Sequence, residues 1–399
     1  MRLLHTSDWH LGHTLKEVSR EHEHAAFLAW LRDTCMREAP DVVVVTGDVF
    51  DSATPPASAE KLWFEWLASV RRARPGMDIV AIAGNHDSPQ RLGATSSLLR
   101  ELGVHVVGGL PRCAGGALDL DRILISVAAG SGLVAAVPFL RPIDVDSSCE
   151  DPLAAIYGEV LEEARRRRAP GQALIALGHL YLAGADPSLV SERRIAIGGQ
   201  ESASARMFPP DVDYVALGHM HRAQRVGRDS IRYAGAPIAL ALDEASYRHQ
   251  VAIVDFDGGR VCEIRGVPVP QAIEIVRIAG TLDEVLDAIG KLPDEIADDR
   301  ARPYLDLQVE LERPEPRLRT RLEVALDGKR PRLVQLRVAT TGDGAVLAER
   351  VHARRLAELD PRDVFLQLWA RSHAEPPTTA VIGAFDRLLA GVRGDGDVS

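Results

Sequence analysis

The sequence predicts a layered α/β sandwich, and two observations lead to this fold class. The segment 41–51, DVVVVTGDVFD, contains four consecutive valines, which indicate a strand buried on both faces, as in parallel sheets covered by helices. Short apolar strands and helical segments then alternate in β-α-β-α-β order. Because ligands of such sheets collect beyond the carboxyl ends of the strands, Asp48 at the end of the valine strand lies where chemistry is expected.

Length and composition limit the possible classes of protein. A chain of 399 residues predicts one large domain and one or two small ones. Its 47 basic and 57 acidic residues give a net charge of −10, which argues against general nucleic-acid binding but allows a local basic groove or a carboxylate cluster that needs cations. The four cysteines show no C-x-x-C spacing, so neither a disulfide framework nor a thiolate metal site is supported.

The N-terminus and the apolar runs give the expected location. The chain begins MRLLHTSDWH, without the apolar region of a signal peptide. No apolar run reaches the ~20 residues of a membrane-spanning helix. We therefore expect a soluble cytoplasmic protein, associated with the nucleoid if it acts on DNA.

The first predicted domain covers residues 1–269 and ends at Pro268 and Pro270. Apolar runs predict strands at 2–7, 42–47, 78–83, 104–107, 123–127, 133–137, 173–177, 214–217, 231–233, 250–256 and 260–267. Helical periodicity predicts helices at 21–39, 56–72, 96–102 and 151–168. The helix at 56–72 is apolar over most of its circumference, which indicates burial on more than one side.

The rest of the chain predicts two smaller parts. Residues 270–340 form a compact α+β unit, with strands at 274–278, 304–311 and 333–337 and helices at 282–289 and 316–326. A glycine-containing joint at 341–344 follows. The remainder, 345–393, is predicted as helices at 345–359, 361–373 and 378–392.

Five predicted strands end in the same kind of polar segment. These segments are Asp8-x-His10, Gly47-Asp48, Gly84-Asn85-His86-Asp87, Gly178-His179 and Gly218-His219-x-His221. Each alone is equally compatible with a turn or helix cap or with a surface histidine. Together, at the strand ends of one predicted sheet, they are expected to meet at one rim.

The residue types in these segments predict a divalent metal centre. Carboxylate, imidazole and amide donors without a thiolate suit Mn²⁺, Fe²⁺ or Zn²⁺. One ion would leave donors unused, whereas two ions ~3.5 to 4 Å apart and sharing a carboxylate would use them all, which predicts phosphoester hydrolysis. The seven candidate ligands are Asp8, His10, Asp48, Asn85, His179, His219 and His221.

His86 is the candidate catalytic residue. With an ordinary pKa near ~6.5, a histidine can donate a proton to a leaving oxygen at neutral pH. A contact to the phosphate, or a further metal ligand, remains an alternative. Asp51 and Asp87 are candidates to orient its ring, because both lie close in sequence to the proposed ligands.

The polar segments match, in full and in order, the pattern D-x-H, G-D, G-N-H-[DE], G-H and G-H-x-H. The sequence therefore resembles the calcineurin-like metallophosphoesterases. More narrowly, the segments LLHTSDWHLGHTL, VVTGDVFDSATPP, AGNHDS, VPFLRP, ALGHMHRAQ and RYAGAPIAL are similar to the SbcD family of nuclease subunits in bacterial SbcCD complexes. Asp51 stands where archaeal and eukaryotic relatives tend to carry histidine.

This resemblance implies a four-layer sandwich, a capping domain and a C-terminal helical segment. It implies one ion held by Asp8, His10, Asp48 and His221, and another held by Asp48, Asn85, His179 and His219, with Asp48 bridging. It also implies a manganese-dependent, ATP-regulated exonuclease and endonuclease acting on double-stranded DNA ends and hairpins in repair and recombination. The implied partners are the SMC-like ATPase SbcC, bound by residues 345–393, and a second copy of the chain, bound through the helix at 56–72.

Several alternatives remain open. The C-terminal helices could pack on the chain's own domains instead of on SbcC. A set of basic residues in the capping domain could contact phosphates or simply be solvated: Arg317, Arg319, Arg321, Lys329, Arg330 and Arg332. A free-standing nucleotide phosphodiesterase or phosphatase, and a non-catalytic scaffold, are the competing functions.

Overall fold

The structure, a computed structural model, describes most of the first 340 residues and a few positions beyond them. The described residues are 1–146, 148–186, 202–294, 298–313, 315–340, 369, 377, 378 and 381–385. They divide into two compact units, one of Met1–Gln308 and Thr320–Arg337 and one of Val309–Arg319 and the chain from Val338 onward. The predicted helix at 345–359, all of the one at 361–373 except Trp369, and most of the one at 378–392 lie outside the described residues. The predicted domain boundaries stay predictions.

The strands follow the predicted order, and most of their ends agree within a few residues. They are β1 (Arg2–Thr6), β2 (Thr14–Leu15), β3 (Val18–Ser19), β4 (Val42–Thr46), β5 (Asp78–Ile82), β6 (Val104–Val107), β7 (Leu124–Val127), β8 (Gly132–Ala136), β9 (Ala173–His179), β10 (Tyr214–Gly218), β11 (Gln224–Val226), β12 (Arg228–Tyr233), β13 (Gln250–Asp257), β14 (Arg260–Pro268), β15 (Ile275–Thr281), β16 (Tyr304–Leu311) and β17 (Arg332–Thr340).

The helices also follow the prediction, with short additions. They are α1 (Glu21–Glu38), α2 (Ala57–Ala73), α3 (Pro89–Gly93), α4 (Ser96–Arg100), α5 (Leu120–Ile123), α6 (Pro152–Arg167), α7 (Leu282–Gly290) and α8 (Leu318–Leu326). Within the described ranges, no helix combines the length and the apolar composition needed to cross a membrane.

The described strands form two large sheets, one small sheet and one hairpin. The first large sheet has the order β14-β13-β1-β4-β5-β6, and the second has the order β11-β12-β10-β9-β8-β7. Strands β1, β4, β5 and β6 run parallel in the first sheet, and β8, β9, β10 and β12 run parallel in the second. The small sheet is β15-β16-β17, and β2 pairs with β3.

Side chains along the buried strands point alternately to the two faces of each sheet, and packing on both faces builds four layers. On β4, Val43 and Val45 belong to the core shared with α1 and α2, because successive side chains of a strand point to opposite faces. Val42 and Val44 belong instead to a core that also contains Ile175 of β9. The other face of the second sheet packs on α6. The predicted four-layer sandwich is confirmed.

The prediction that every polar segment lies at the end of a strand in one and the same sheet is wrong. Asp8, Asp48 and Asn85 follow strands of the first sheet, whereas His179 ends β9 and His219 follows β10 in the second. The segments still meet, because the two sheets stack with the carboxyl ends of their parallel strands at the same edge. A hydrogen bond of 2.9 Å from His179 Nδ1 to the carbonyl oxygen of Thr46 joins the sheets there.

His5 links the two sheets in the buried core. Its Nδ1 lies 3.0 Å from the Tyr214 hydroxyl and its Nε2 lies 3.0 Å from the Thr46 hydroxyl. Burial lowers the pKa of His5 to about 3, against about 6.5 in an unfolded chain. Between about pH 3 and pH 6.5 the unfolded state therefore binds up to one proton more than the folded state, so His5 makes the free energy of unfolding fall as pH falls through this range.

We expect His5→Asn to weaken this dependence on pH. The wild-type chain should lose about 2 kcal/mol more of its unfolding free energy than the variant when pH falls from 8 to 5, since asparagine does not titrate. Urea unfolding of both metal-free chains at the two pH values measures the difference. Equal losses for the two chains would show that His5 is not buried as a neutral side chain.

Candidate metal centre

The residues that follow β1 and β4 have an unusual backbone conformation. Asp8, His10 and Asp48 have φ angles of 54°, 46° and 49°, in the left-handed region that residues other than glycine rarely adopt. The two loops are joined by hydrogen bonds of 3.0 Å from Asp8 N to Gly47 O and from His10 N to Asp48 O. Such conformations persist only where the surrounding contacts hold them, and they cluster at functional sites.

Two glycines of the polar segments allow a close approach between strands. A Cβ atom at Gly84 would overlap the carboxylate and the backbone nitrogen of Asp48, and one at Gly47 would overlap the His179 ring. Gly47 also has a φ of 94°, which favours glycine. Both positions therefore exclude larger residues for steric reasons.

One group of candidate ligands surrounds Asn85. His179 Nε2 lies 2.9 Å from Asn85 Oδ1 and 3.3 Å from Asp48 Oδ2. His219 Nδ1 lies 3.1 Å from the same amide oxygen. The structure thus brings together the four residues predicted for one ion, Asp48, Asn85, His179 and His219.

A second group surrounds His10. The ligand atoms of Asp8, His10 and His221 lie within 4.8 Å of one another, and those of Asp8, Asp48 and His179 do the same. His10 Nε2 lies 3.4 Å from Asp48 Oδ2. Asp48 therefore touches both groups, as a bridging ligand must, and the four residues predicted for the other ion also lie together.

The donors fit a divalent cation. His10 Nε2 is buried and has no hydrogen-bond partner among the described residues, while Nδ1 of the same ring lies 3.1 Å from Asp51 Oδ1. A buried polar atom without a partner is costly in a folded protein. A cation held by Nε2 would satisfy it, and the surrounding carboxylates would neutralise the added charge.

The buried charges of this cluster shift one another's pKa values. Burial opposes the ionised form of Asp48, but the neighbouring His179 outweighs it and holds the pKa of the carboxyl below its usual range. The same interaction raises the pKa of His179, although burial alone would lower it. Burial raises the pKa of Asp8 and lowers that of His219 to about 3. The charges of Asp48 and His179 therefore stabilise each other.

His86 lies at the edge of this cluster. Its backbone nitrogen donates to Asp48 Oδ1 at 2.9 Å, and its ring centroid lies 4.7 Å from that of His10. Its Nδ1 donates to the carbonyl oxygen of Asp51 at 2.7 Å, because a carbonyl can only accept. This bond leaves Nε2 for an external partner.

Of the two residues predicted to orient His86, Asp51 contacts its ring and Asp87 does not. Asp51 orients His86 through its backbone carbonyl, while its carboxylate contacts His10 instead. The Asp87 carboxylate does not hold the His86 ring, because it accepts hydrogen bonds from the backbone nitrogens of Gly84, Val49 and Phe50 at 2.9 to 3.1 Å. Burial and the nearby Asp48 raise the pKa of Asp87 to about 6. Asp87 therefore fixes the loops that carry Asp48 and Asn85.

Glu244 is a residue at this site that the sequence did not reveal. Its Oε1 lies 2.8 Å from His221 Nδ1, and its Oε2 accepts from the Leu240 nitrogen at 2.7 Å. The side chain is fully buried. A carboxylate on the far nitrogen of a ligating histidine fixes the ring and raises its basicity.

Glu244→Gln is therefore expected to weaken metal binding about 10- to 100-fold. Glutamine keeps the shape of the side chain but removes the charge that supports His221. Titration of the metal-free chain with Mn²⁺ measures the effect. Glu263→Gln, the same change on the exposed part of β14, serves as the control, and equal affinities for the two variants would refute a supporting role for Glu244.

Family models and curated relatives match this chain over most of its length. The model described as calcineurin-like phosphoesterase matches residues 1–223, and the model described as Type 5 capsule protein repressor C-terminal domain matches residues 269–373. The SbcD subunit of the SbcCD nuclease from Rhodobacter capsulatus is 40% identical over 359 residues, which cover 85% of this chain and 87% of that protein.

The SbcD subunits of two further bacteria are also similar. The one from Escherichia coli K12 is 36% identical over 71% of this chain and 72% of its own length. The one from Bacillus subtilis 168 is 36% identical over 77% of this chain and 79% of its own length.

Proposed function

Because the chain belongs to the calcineurin-like phosphoesterases, and within them to the SbcD family of nuclease subunits, we propose that it is the metal-dependent nuclease subunit of an SbcCD complex. Its reaction is hydrolysis of phosphodiester bonds in DNA. The observation that carries this proposal is the convergence of seven metal-type donors at one edge of two stacked sheets. A free-standing nucleotide phosphodiesterase is not favoured, since a relative named as a nuclease subunit matches 85% of the chain.

The donor set is assigned to two divalent ions, and Mn²⁺ is the metal we propose. Asp8, His10, Asp48 and His221 hold one ion, and Asp48, Asn85, His179 and His219 hold the other. When bound, such ions supply Lewis acidity toward the phosphodiester oxygens and lower the pKa of water at the site. This assignment is supported by the two groups of donors and by the shared position of Asp48 Oδ2, 3.4 Å from His10 Nε2 and 3.3 Å from His179 Nε2.

His86 is proposed to serve the leaving group. Its Nδ1 is engaged by the Asp51 carbonyl, so a protonated ring presents Nε2–H to the leaving oxygen or to a phosphate oxygen. The bond to Asp51 also fixes the ring plane. Asp51 thus positions two rings, that of His86 through its carbonyl and that of His10 through its carboxylate.

The proposed partners are double-stranded DNA ends and hairpins, SbcC and a second copy of the chain. The segment 345–393 proposed to bind SbcC lies almost wholly outside the described residues. For the homodimer, α2 offers less apolar surface than the sequence suggested, because Trp63, Trp66, Leu67 and Val70 are buried in the chain's own core. Phe64 remains 40% exposed and supports α2 as part of the contact.

The test uses the purified chain with and without SbcC and ATP. With Mn²⁺, we expect labelled hairpins and blunt duplexes to be cut by the complex, and cyclic nucleotides to be hydrolysed more slowly. His86→Ala should cut DNA about 10²-fold more slowly, the lower end of the contribution of a general acid. The nuclease assignment fails if wild type and His86→Ala degrade DNA equally while cyclic nucleotides are hydrolysed faster than DNA.

A further inference from the structure

A cavity of about 350 Å³ connects the metal centre with the small sheet. Its lining includes His10, His86 and His221 of the metal centre, together with Arg277 on β15 and Arg337 on β17. A cavity of this volume is in the range of sites that bind small ligands or parts of larger ones. The small sheet therefore brings two guanidinium groups to the cavity beside the candidate metal centre.

Both arginines are held by one buried carboxylate. Asp306 on β16 is fully buried, and its Oδ2 accepts from Arg277 Nε at 3.0 Å and from Arg337 Nη2 at 2.6 Å. The two arginine side chains nevertheless remain 48% exposed. One carboxylate neutralises only one of the two guanidinium groups, so these three side chains together carry one net positive charge beside the cavity, whose lining also contains Lys16, Asp51 and Asp243.

Arg277 is also fixed to the loop that supports the metal centre. Its Nη2 donates to the carbonyl oxygen of Leu242 at 3.0 Å. Two residues further on, Glu244 contacts the candidate ligand His221 at 2.8 Å. The contacts of Leu242 with Arg277 and of Glu244 with His221 therefore fix the Arg277 guanidinium relative to the metal centre.

The basic residues suggested by the sequence do not occupy this cavity. Lys329 is bonded to the carbonyl oxygens of Gly290 and Leu292 at 3.0 and 3.1 Å. Arg332 pairs with Asp299 at 2.8 Å. Among the described residues that line the cavity, none belongs to that predicted set.

We propose that Arg277 and Arg337 form a phosphate clamp, which binds the DNA phosphodiester adjacent to the one hydrolysed at the metal centre. This inference rests on the proposed nuclease function and adds the residues that position its substrate. The planar guanidinium fork matches the oxygens of a phosphate. Since the whole chain carries a net charge of −10, a backbone phosphate needs such a local pair of cations to approach the site.

The double variant Arg277→Gln/Arg337→Gln tests the clamp in the complex with SbcC. Arg166→Gln/Arg225→Gln is the matched control, since it also removes two exposed arginines that pair with carboxylates, but neither of them lines the cavity. Duplex binding is measured by fluorescence anisotropy over a series of salt concentrations, with Ca²⁺ in place of Mn²⁺. Hydrolysis of DNA and of bis(4-nitrophenyl) phosphate is measured with Mn²⁺.

We expect the double variant to bind duplex about 10-fold or more weakly, and the control to bind like wild type. The slope of log affinity against log salt should become shallower by about 1, because the clamp neutralises one phosphate. The ratio of kcat/KM for DNA to that for the small diester should fall about 10-fold. Arg277→Lys/Arg337→Lys keeps the charge and should therefore retain most of the salt slope. This variant replaces the glutamine variant in the test if the glutamine variant does not fold.

Unchanged duplex affinity and salt slope would overturn the clamp. So would an equal loss of activity toward both substrates, because it would mean that the arginines only support the fold. If wild type hydrolyses the small diester but no DNA, the proposed nuclease function fails, while the binding measurements still decide on the clamp.

Discussion

Asp48→Asn is expected to reduce nuclease activity by about 10⁴-fold or more. Asp48 Oδ2 lies between the two donor groups, 3.4 Å from His10 Nε2 and 3.3 Å from His179 Nε2, so loss of its charge is expected to weaken the binding of both proposed ions. Each divalent ion contributes several kcal/mol of transition-state stabilisation, and about 5.5 kcal/mol corresponds to a factor of 10⁴. Cleavage of a labelled duplex by the complex with SbcC, ATP and Mn²⁺ measures the loss.

The amide is chosen because it keeps the local structure. Oδ1 of Asp48 accepts a hydrogen bond from the His86 nitrogen at 2.9 Å, and the asparagine oxygen can accept the same bond. Asp41→Asn is the control, since Asp41 is exposed and lies at the other end of β4. Activity of Asp48→Asn within tenfold of the control would be incompatible with a bridging ligand.

Trp9→Ala is expected to lower the free energy of unfolding by about 3 to 5 kcal/mol, the usual cost of removing a buried aromatic side chain. Trp9 is fully buried and packs edge-on against Phe27, Trp63 and Trp66 at centroid distances of 5.6, 5.5 and 5.0 Å. It also donates from Nε1 to the Thr6 hydroxyl at 2.9 Å. Urea unfolding of the metal-free chain gives the change.

Trp9 also stands between two candidate ligands. Asp8 and His10 have φ angles of 54° and 46°, and Trp9 anchors the strained loop between them to α1 and α2. We therefore expect weaker Mn²⁺ binding in addition to lower stability. Trp30→Ala is the control, because Trp30 is only partly buried at the same core. Losses of unfolding free energy and of Mn²⁺ affinity that are no larger for Trp9→Ala than for Trp30→Ala would contradict this role.

Local sequence patterns were sufficient to predict most elements and to bring the candidate ligands together. Runs such as Val42 to Val45 have one plausible structure, and polar residues at the ends of parallel strands meet at one edge whichever sheet holds each strand. The pattern did not separate the two sheets, because strands buried on both faces look alike in either sheet. The assignment of all the strands to one sheet failed for that reason.

Features that depend on distant contacts were not predictable. Glu244 contacts the candidate ligand His221 from a short 3-10 helix without a recognisable motif, so only the folded structure reveals this contact. The hairpin of β2 and β3 has strands of two residues, too short for periodicity, and its turn places Lys16 and Glu17 at positive φ without glycine. The pairing of Arg277 and Arg337 through Asp306 likewise joins residues from three separate strands.

Counting tightly bound Mn²⁺ ions per chain most directly tests whether Asp48 is shared by two ions. Titration of the metal-free wild type, followed by electron paramagnetic resonance, should give two ions per chain with spin coupling between them. Asp8→Asn should mainly weaken the binding of one ion. Asp48→Asn should bind neither ion tightly, while its melting temperature stays close to that of the metal-free wild type. Two tightly bound, spin-coupled ions in Asp48→Asn would contradict the shared-ligand centre.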